Sequence, residues 1–219
     1  MMRLIILLLT LTLWLPNNLK AQEVLPDSTH IERHRSNMIY RVVQYKEGKR
    51  HGIYLEFNSG GQVLMDIEYH NGLRHGWAQF FKNNGKPTLK AHYKKDTFHG
   101  EHQKFYHSGT MQQRTHYQQG KKHGRVEWFY PSGKLAAAYT YRRGILDGEA
   151  RSYYKSESIK EIYHYDNNLR QGTYREFYEN GTLKTEGSYK EDEKEGLWKY
   201  YDQEGKVKRK ENYKNGKLK

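Results

Sequence analysis

The chain has no cysteine, which excludes disulfides, thiolate metal sites, a cysteine nucleophile and lipid attachment through an N-terminal cysteine. It is also short of hydrophobic residues, at 35% of 219, with a mean hydropathy of -1.11 and 29% charged residues. A thick globular core is therefore excluded. No Gly-x-Ser-x-Gly, P-loop or His-Glu-x-x-His motif occurs. No segment sustains a helical period, which excludes a helical fold. What is abundant is aromatic: 20 Tyr, 7 Phe and 4 Trp, far more than a solvated coil carries. With 20 Gly, this composition points to short strands, frequent turns and a thin hydrophobic layer.

The formal charge is +13, with Lys and Arg spread along the chain rather than gathered in a stripe. Such a surface is a soluble one that can meet anionic membranes or acidic polymers. Nucleic acid is not expected as a partner, because no basic stripe or nucleic-acid motif stands out.

Residues 1–21 read as an address rather than as part of the fold. Arg3 precedes an apolar run from Leu4 to Leu15, Pro16 breaks it, and a polar stretch leads to Ala21. This is the layout of a secretory signal peptide, and the run is shorter than the roughly 20 residues of a membrane span. Cleavage near Ala21 removes Arg3 and Lys20 and sends the chain to the periplasm or beyond. Residues 22–37 carry no periodic apolar pattern and read as a linker. Residues 38–219 form the third region.

That region repeats. Tyrosine falls at 45, 69, 93, 117, 141, 165, 189 and 213, a constant step of 24. Three residues later stand Gly48, Gly72, Asp96, Gly120, Gly144, Asn168, Asp192 and Gly216. Glycine exchanged only for Asn or Asp marks a positive φ, hence a tight turn. Seven residues after the tyrosine glycine recurs, from Gly52 to Gly196. Sixteen after it a second turn holds Gly61, Gly85, Gly109, Gly133, Gly181 and Gly205, with Glu157 in the fifth copy. An aromatic always stands twelve residues on, as in Phe57, Phe81 and Tyr153. Segments such as Val63, Met65, Ile67 and Tyr69 alternate with period two. The expected fold is all-β, an elongated single-layer antiparallel sheet of about seven and a half 24-residue β-hairpins. At the C-terminal end Lys206, Lys208 and Lys210 charge the last full strand, a device against stray pairing. An exposed terminal strand also allows a homodimer by edge pairing.

The unit Tyr-x-x-Gly-x-x-His-Gly, followed by an aromatic pair and Asn-Gly-x-Leu, resembles the MORN repeat. Copies such as YHNGLRHGWAQFFKNNGK from Tyr69 and YQQGKKHGRVEWFYPSGK from Tyr117 resemble its bacterial variant, found in proteins labelled YwqK-family antitoxins. The resemblance implies a sheet of hairpins that serves as a scaffold for protein or membrane contact without catalytic residues. The antitoxin label implies a toxin-binding role.

Three sets of residues invite chemistry. His51, His75, His99 and His123 each precede a repeat glycine, but rows about 10 Å apart cannot share one metal ion. They read as turn-flanking residues. Asp147, Glu149, Glu176 and Glu193 supply carboxylates, but a repeat sheet offers a ridge and not the cleft that a carboxylate pair needs. The chain is thus expected to be no enzyme and to need no cofactor or metal. The third set is Tyr106, Tyr130, Tyr154 and Tyr178, one residue beyond the recurring aromatic and expected on the opposite face. Evenly spaced tyrosines can form a platform for a peptide or glycan, or can simply cover a sheet that has no second layer. The readings are an exported scaffold that binds another protein in the cell envelope, and an envelope glycan or anionic-surface binder.

Overall fold

A computed structural model describes residues 27–219, so the signal peptide and the start of the linker lie outside the described residues. Eighteen strands build one antiparallel sheet, and the described residues contain no helix. The first six are β1 (Thr29–Arg33), β2 (Ile39–Lys46), β3 (Lys49–Phe57), β4 (Val63–His70), β5 (Leu73–Phe81) and β6 (Pro87–Lys94). Then come β7 (Thr97–Phe105), β8 (Met111–Gln118), β9 (Lys121–Phe129), β10 (Leu135–Arg142), β11 (Ile145–Tyr153) and β12 (Ile159–Asp166). The last six are β13 (Leu169–Arg170), β14 (Gly172–Phe177), β15 (Leu183–Lys190), β16 (Glu193–Tyr201), β17 (Val207–Lys214) and β18 (Lys217–Leu218). Each strand pairs with its neighbour in the chain. The one variation is β12, which pairs with both β13 and β14, two parts of an interrupted strand. The expected single sheet of 24-residue hairpins is what forms.

Two turns alternate. The one after each repeat tyrosine is a two-residue loop with positive φ at both positions, as at Glu47–Gly48 (49° and 72°) and Lys95–Asp96 (52° and 60°). This is the type I′ geometry, whose twist matches that of the strands it joins. Consecutive I′ turns are stitched together: Gly72 N donates to Arg50 O at 2.8 Å, and Asp192 N to Arg170 O at 3.0 Å. Where Asp or Asn replaces glycine, its side chain adds a bond. Asp96 Oδ1 accepts from the Arg74 amide at 3.1 Å and from Arg74 Nε at 2.7 Å. The second turn is a three-residue loop. Asn58 O accepts from Gly61 N at 3.0 Å, Asn58 N donates to Gln62 O at 2.9 Å, and Gly61 carries the positive φ.

The glycine seven residues after the tyrosine sits in a bulge. The ladder runs Val43↔Tyr54 and then Tyr45↔Arg50, so three residues of β3 oppose one of β2. Gln44 fills the gap, its Oε1 accepting from Ile53 N at 2.9 Å. A Cβ on Gly52 would overlap that side chain, and φ there is 92°.

The array begins earlier than expected. Residues Thr29–Arg33, placed in the linker for want of a periodic apolar pattern, form β1 with the register His30↔Val43, Ile31↔Val42 and Glu32↔Arg41. That is one period before Tyr54↔Ile67, Leu55↔Asp66 and Glu56↔Met65. Asn37 (φ 65°) stands where later copies have the second-turn glycine, and His34 N donates to Met38 O at 2.8 Å. Arg33 and Asn37 replace the aromatic and the glycine that mark a copy, so this half copy hid in the sequence.

A seam of cross-strand partners runs along one face: Val43, Tyr54, Ile67, Ala78, Ala91, His102, Thr115 and Val126. Ala78 and Ala91 are fully buried although the described residues form no second layer. Tyr45, Met65, Tyr69, Phe80, Leu89 and Phe98 close over this cluster from either side. Cations five residues after the repeat tyrosines cover the rings, with Arg74 4.2 Å from the Tyr93 centroid and Arg170 4.1 Å from that of Tyr189. The opposite face carries a polar row that includes Asp66, Gln79, Lys90, Gln103, Arg114 and Glu127. Burial, then Glu68, raises the Asp66 carboxyl above its ordinary range.

Candidate binding surface

The recurring tyrosines Tyr106, Tyr130, Tyr154 and Tyr178 were expected on a strand face. The structure places them instead at the first residue of the second turn, beyond the strand ends. Their backbones make the turn: Tyr130 N donates to Lys134 O at 2.8 Å, and Tyr130 O accepts from Gly133 N at 2.8 Å. Period-two alternation stops where the strand stops, which is why the sequence misplaced them. Their side chains then bridge copies. The Tyr106, Tyr130, Tyr154 and Tyr178 hydroxyls donate to the carbonyls of Phe129, Tyr153, Phe177 and Tyr201 at 2.6, 2.7, 2.8 and 2.8 Å. Each acceptor is the recurring aromatic of the next copy. All four rings are half-buried, so the hydroxyls act as struts while part of each ring still meets solvent.

The same turn position has other solutions elsewhere. Asn58 Nδ2 donates to Asn83 O at 3.0 Å, and Asp202 Oδ1 accepts from Lys206 N at 2.7 Å. The tyrosine row is therefore confined to the middle of the array, from the third copy to the sixth.

The histidine row flanks the bulges. His51 Nδ1 lies 3.3 Å from Asn71 Oδ1, in the next I′ turn. Gln171 and Glu195 hold the equivalent place in later copies and accept from the amides of Glu191 and Asn215 at 3.0 and 2.9 Å. The position secures the neighbouring turn. What the sequence reading missed is His70, whose ring lies 4.5 Å from that of His51 and 5.7 Å from that of His75. Only the cross-strand register brings it there. Among the described residues, no group of three His, Asp or Glu side chains is arranged to hold a metal ion.

Three of the four acidic residues meet neighbouring cations. Asp147 meets Arg142 at 3.3 Å, Glu149 meets Arg151 at 2.6 Å, and Glu176 meets Lys184 at 2.6 Å. Glu193 is the backbone ladder partner of Lys190 beside the I′ turn. The four are not convergent. A shallow depression of about 440 Å³ lies where β13 and β14 are interrupted, lined by Ile162, His164, Thr173 and Arg175 among others.

Two polar side chains are buried in the seam. His102 is 5% exposed and Thr115 1%, and neither His102 Nδ1 nor Thr115 Oγ1 has a hydrogen-bond partner. They are direct cross-strand partners. Phe98 and Tyr117 pack edge-on against His102, at 4.9 and 5.5 Å between ring centres. Burial, then the Lys104 charge, pushes the His102 imidazole below its ordinary pKa.

No curated protein matches the chain. A solved structure titled "Crystal Structure of TcdB2-TccC3-Cdc42" is similar at 11% identity and a TM-score of 0.17, over 86% of this chain. The match spans only 14% of that much longer chain. The sequence model described as the MORN repeat variant matches residues 98–119, 122–143, 146–167, 170–191 and 194–215. Those five consecutive copies fall in step with the hairpins from β7 to β17, and the chain belongs to the MORN repeat family in its variant form.

Proposed function

We propose that the chain is an exported, non-enzymatic scaffold of the cell envelope that binds another protein along the rim carrying Tyr106, Tyr130, Tyr154 and Tyr178. MORN repeats mediate contacts with proteins or membranes and are generally non-enzymatic, which supports the coarse reading. One observation carries the finer one: four half-buried tyrosine rings at the same place in consecutive copies, each fixed by its own hydroxyl strut. Rings already immobilised lose little freedom when a partner covers them. The leader at residues 1–21 supports export and cleavage near Ala21.

The test separates strut from platform. Replacing Tyr130 and Tyr154 by Phe removes the hydroxyls and keeps the rings. Replacing them by Ser removes both. With crosslinked native envelope as the source, the Phe pair retains the partner recovered by the wild type and the Ser pair loses it at unchanged secondary structure. Equal recovery by the wild type and both variants would overturn the reading. A second reading, binding of an envelope glycan or an anionic membrane surface, rests on the tyrosine row and on the positive charge, 13 − 2 = +11 once Arg3 and Lys20 are removed. It requires salt-sensitive retention on purified envelope polymer or anionic vesicles.

A further inference from the structure

The gap beside the bulge glycine recurs along the array, and the copies close it differently. In the first, Gln44 lies in it and its Oε1 accepts from Ile53 N at 2.9 Å. In the second, the Glu68 carboxylate lies in it against Gly76. In the third, His92 fills it, with Nδ1 2.8 Å from His99 O. In the fifth, Thr140 does so, its hydroxyl donating to Glu149 O at 2.9 Å. A bulge leaves backbone groups without ladder partners, and a side chain from the facing strand satisfies them.

In the sixth copy the gap stands open. The ladder of β12 leaves β14 at Ile162↔Arg175 and resumes with β13 at Tyr165↔Arg170, a wider break than the one at Gly52. Gln171 N donates to His164 O at 2.9 Å. Thr173 holds the place of Ile53, but it has no ladder partner in β12 and, among the described residues, no side chain bonds to its amide. His164 holds the place of Gln44, yet a Cβ on Gly172 would meet nothing within 4 Å. The depression of about 440 Å³ lies over this gap, and Arg175 borders it.

Arg175 is exposed and forms no ion pair among the described residues. Its cross-strand neighbour Glu186 is taken by Lys199 at 2.8 Å and by the Tyr201 hydroxyl at 2.7 Å. Glu149, also on the lining, is taken by Arg151 at 2.6 Å. The gaps at Gly124 and Gly196 are likewise unfilled, but there the place of Arg175 is held by Glu127 and by the engaged Lys199. An empty gap and an uncommitted cation coincide in the sixth copy.

We propose that this gap binds the carboxylate of an acidic side chain on a partner protein, one oxygen accepting from Thr173 N and the other meeting the Arg175 guanidinium. Gln44 and Glu68 show the chemistry that fits: an amide or carboxylate oxygen on a peptide side chain. Charge-assisted bonds to a backbone amide and to a guanidinium are the stronger kind. The site lies near the I′ turns, at the opposite strand ends from the tyrosine rim, and does not rest on the rim reading.

Amide NMR titration of the mature protein at constant ionic strength tests this, with acetate and N-acetylglutamate amide as probes and chloride as the control. Both probes shift the Thr173 amide downfield to saturation, while the Ile53 amide, already bonded to Gln44, stays in place. Arg175→Gln weakens binding about two- to fivefold in Kd. His164→Gln gives the sixth gap the filler of the first and abolishes the response. Should that variant lose strand signal by circular dichroism, His164→Glu, which copies Glu68, replaces it. A Thr173 amide that stays in place, or moves equally with chloride, overturns the proposal. So does a folded His164 variant that binds as the wild type does. Tighter binding of inorganic phosphate or of polygalacturonate than of a glutamate peptide of equal charge assigns the gap to a phosphate or an acidic glycan, and overturns the protein carboxylate.

Discussion

The two halves of the array share one backbone and fill it differently. From β2 to β6 the seam is mainly aliphatic, with Val43, Ile67, Ala78 and Ala91 beside a single tyrosine, Tyr54, and roofed by Met65, Phe80 and Leu89 among others. From β12 to β17 it is aromatic: Tyr174 stacks on Trp198 at 5.5 Å and 29°, and Tyr189 meets the same indole edge-on at 5.1 Å. Trp198 is 1% exposed because Gly187 leaves room for it, and a Cβ on that glycine would lie inside the indole. The matched MORN copies begin at residue 98, yet the same turns and bulges run back to β1. Turn and bulge geometry thus defines the repeat, while the seam needs only a constant volume, which one large and one absent side chain supply as well as two medium ones.

Several outcomes would break or sharpen that contrast. The largest is expected from Trp198→Ala, which should lower stability by about 3–5 kcal/mol in a denaturant melt, through the void left over Gly187. In the aliphatic half Ala78→Leu should cost about 1–3 kcal/mol by overpacking, since that site is full. A loss as great as that of Trp198→Ala would contradict the idea of two independent fillings. Alanine at the bulge glycines should next separate two copies by chemical denaturation. At Gly148 the new Cβ would stand 3.0 Å from Thr140 Cβ, whereas at Gly124 nothing lies within 4 Å. Both carry the cost of a positive φ, about 1 kcal/mol, and Gly148→Ala should exceed it. The smallest change is Tyr130→Phe, which removes one strut and about 0.5–1.5 kcal/mol.

Between the halves, His102 makes the seam sensitive to acid. Its folded pKa lies below the ordinary 6.5, so the neutral form is favoured in the folded state and the unfolded chain takes up the proton first. The stabilisation is complete above about pH 6.5 and falls as pH drops from there toward the folded value. Thermal melts between pH 7.5 and 5 should show the decline, and His102→Leu should flatten it. Asp192 has the opposite starting point and the same direction. Hydrogen bonds from Arg170 lower its pKa, so its contribution is present above the unfolded carboxylate range and is lost as pH falls through the folded value.

Much of the backbone was legible before the structure. The exchange of glycine for Asp96, Asn168 and Asp192 revealed a positive φ, and that is what those residues adopt. The residue just before each of them was not legible. Lys95, Asn167 and Glu191 also have positive φ, but a charged side chain such as Lys95 or Glu191 leaves no mark of that in the sequence. The bulge at Gly52 was recognisable as a recurring glycine, not as a place where Gln44 fills a gap, because that depends on cross-strand register. The tyrosine row was found and given the wrong location, since the residue after a strand looks like its continuation. The His51–His70–His75 contact and the half copy at β1 both needed the ladder to appear.

The central claim is one sheet with a 24-residue period running from β1 to the C-terminal end. Amide hydrogen exchange followed residue by residue tests it most directly. Gly72, Asp96, Gly120, Gly144, Asn168, Asp192 and Gly216 each donate to the preceding copy. Their amides should be protected as a periodic series, with β1 protected along its inner edge. Free exchange in β1, or protection in that series that breaks off between neighbouring copies, would contradict the account.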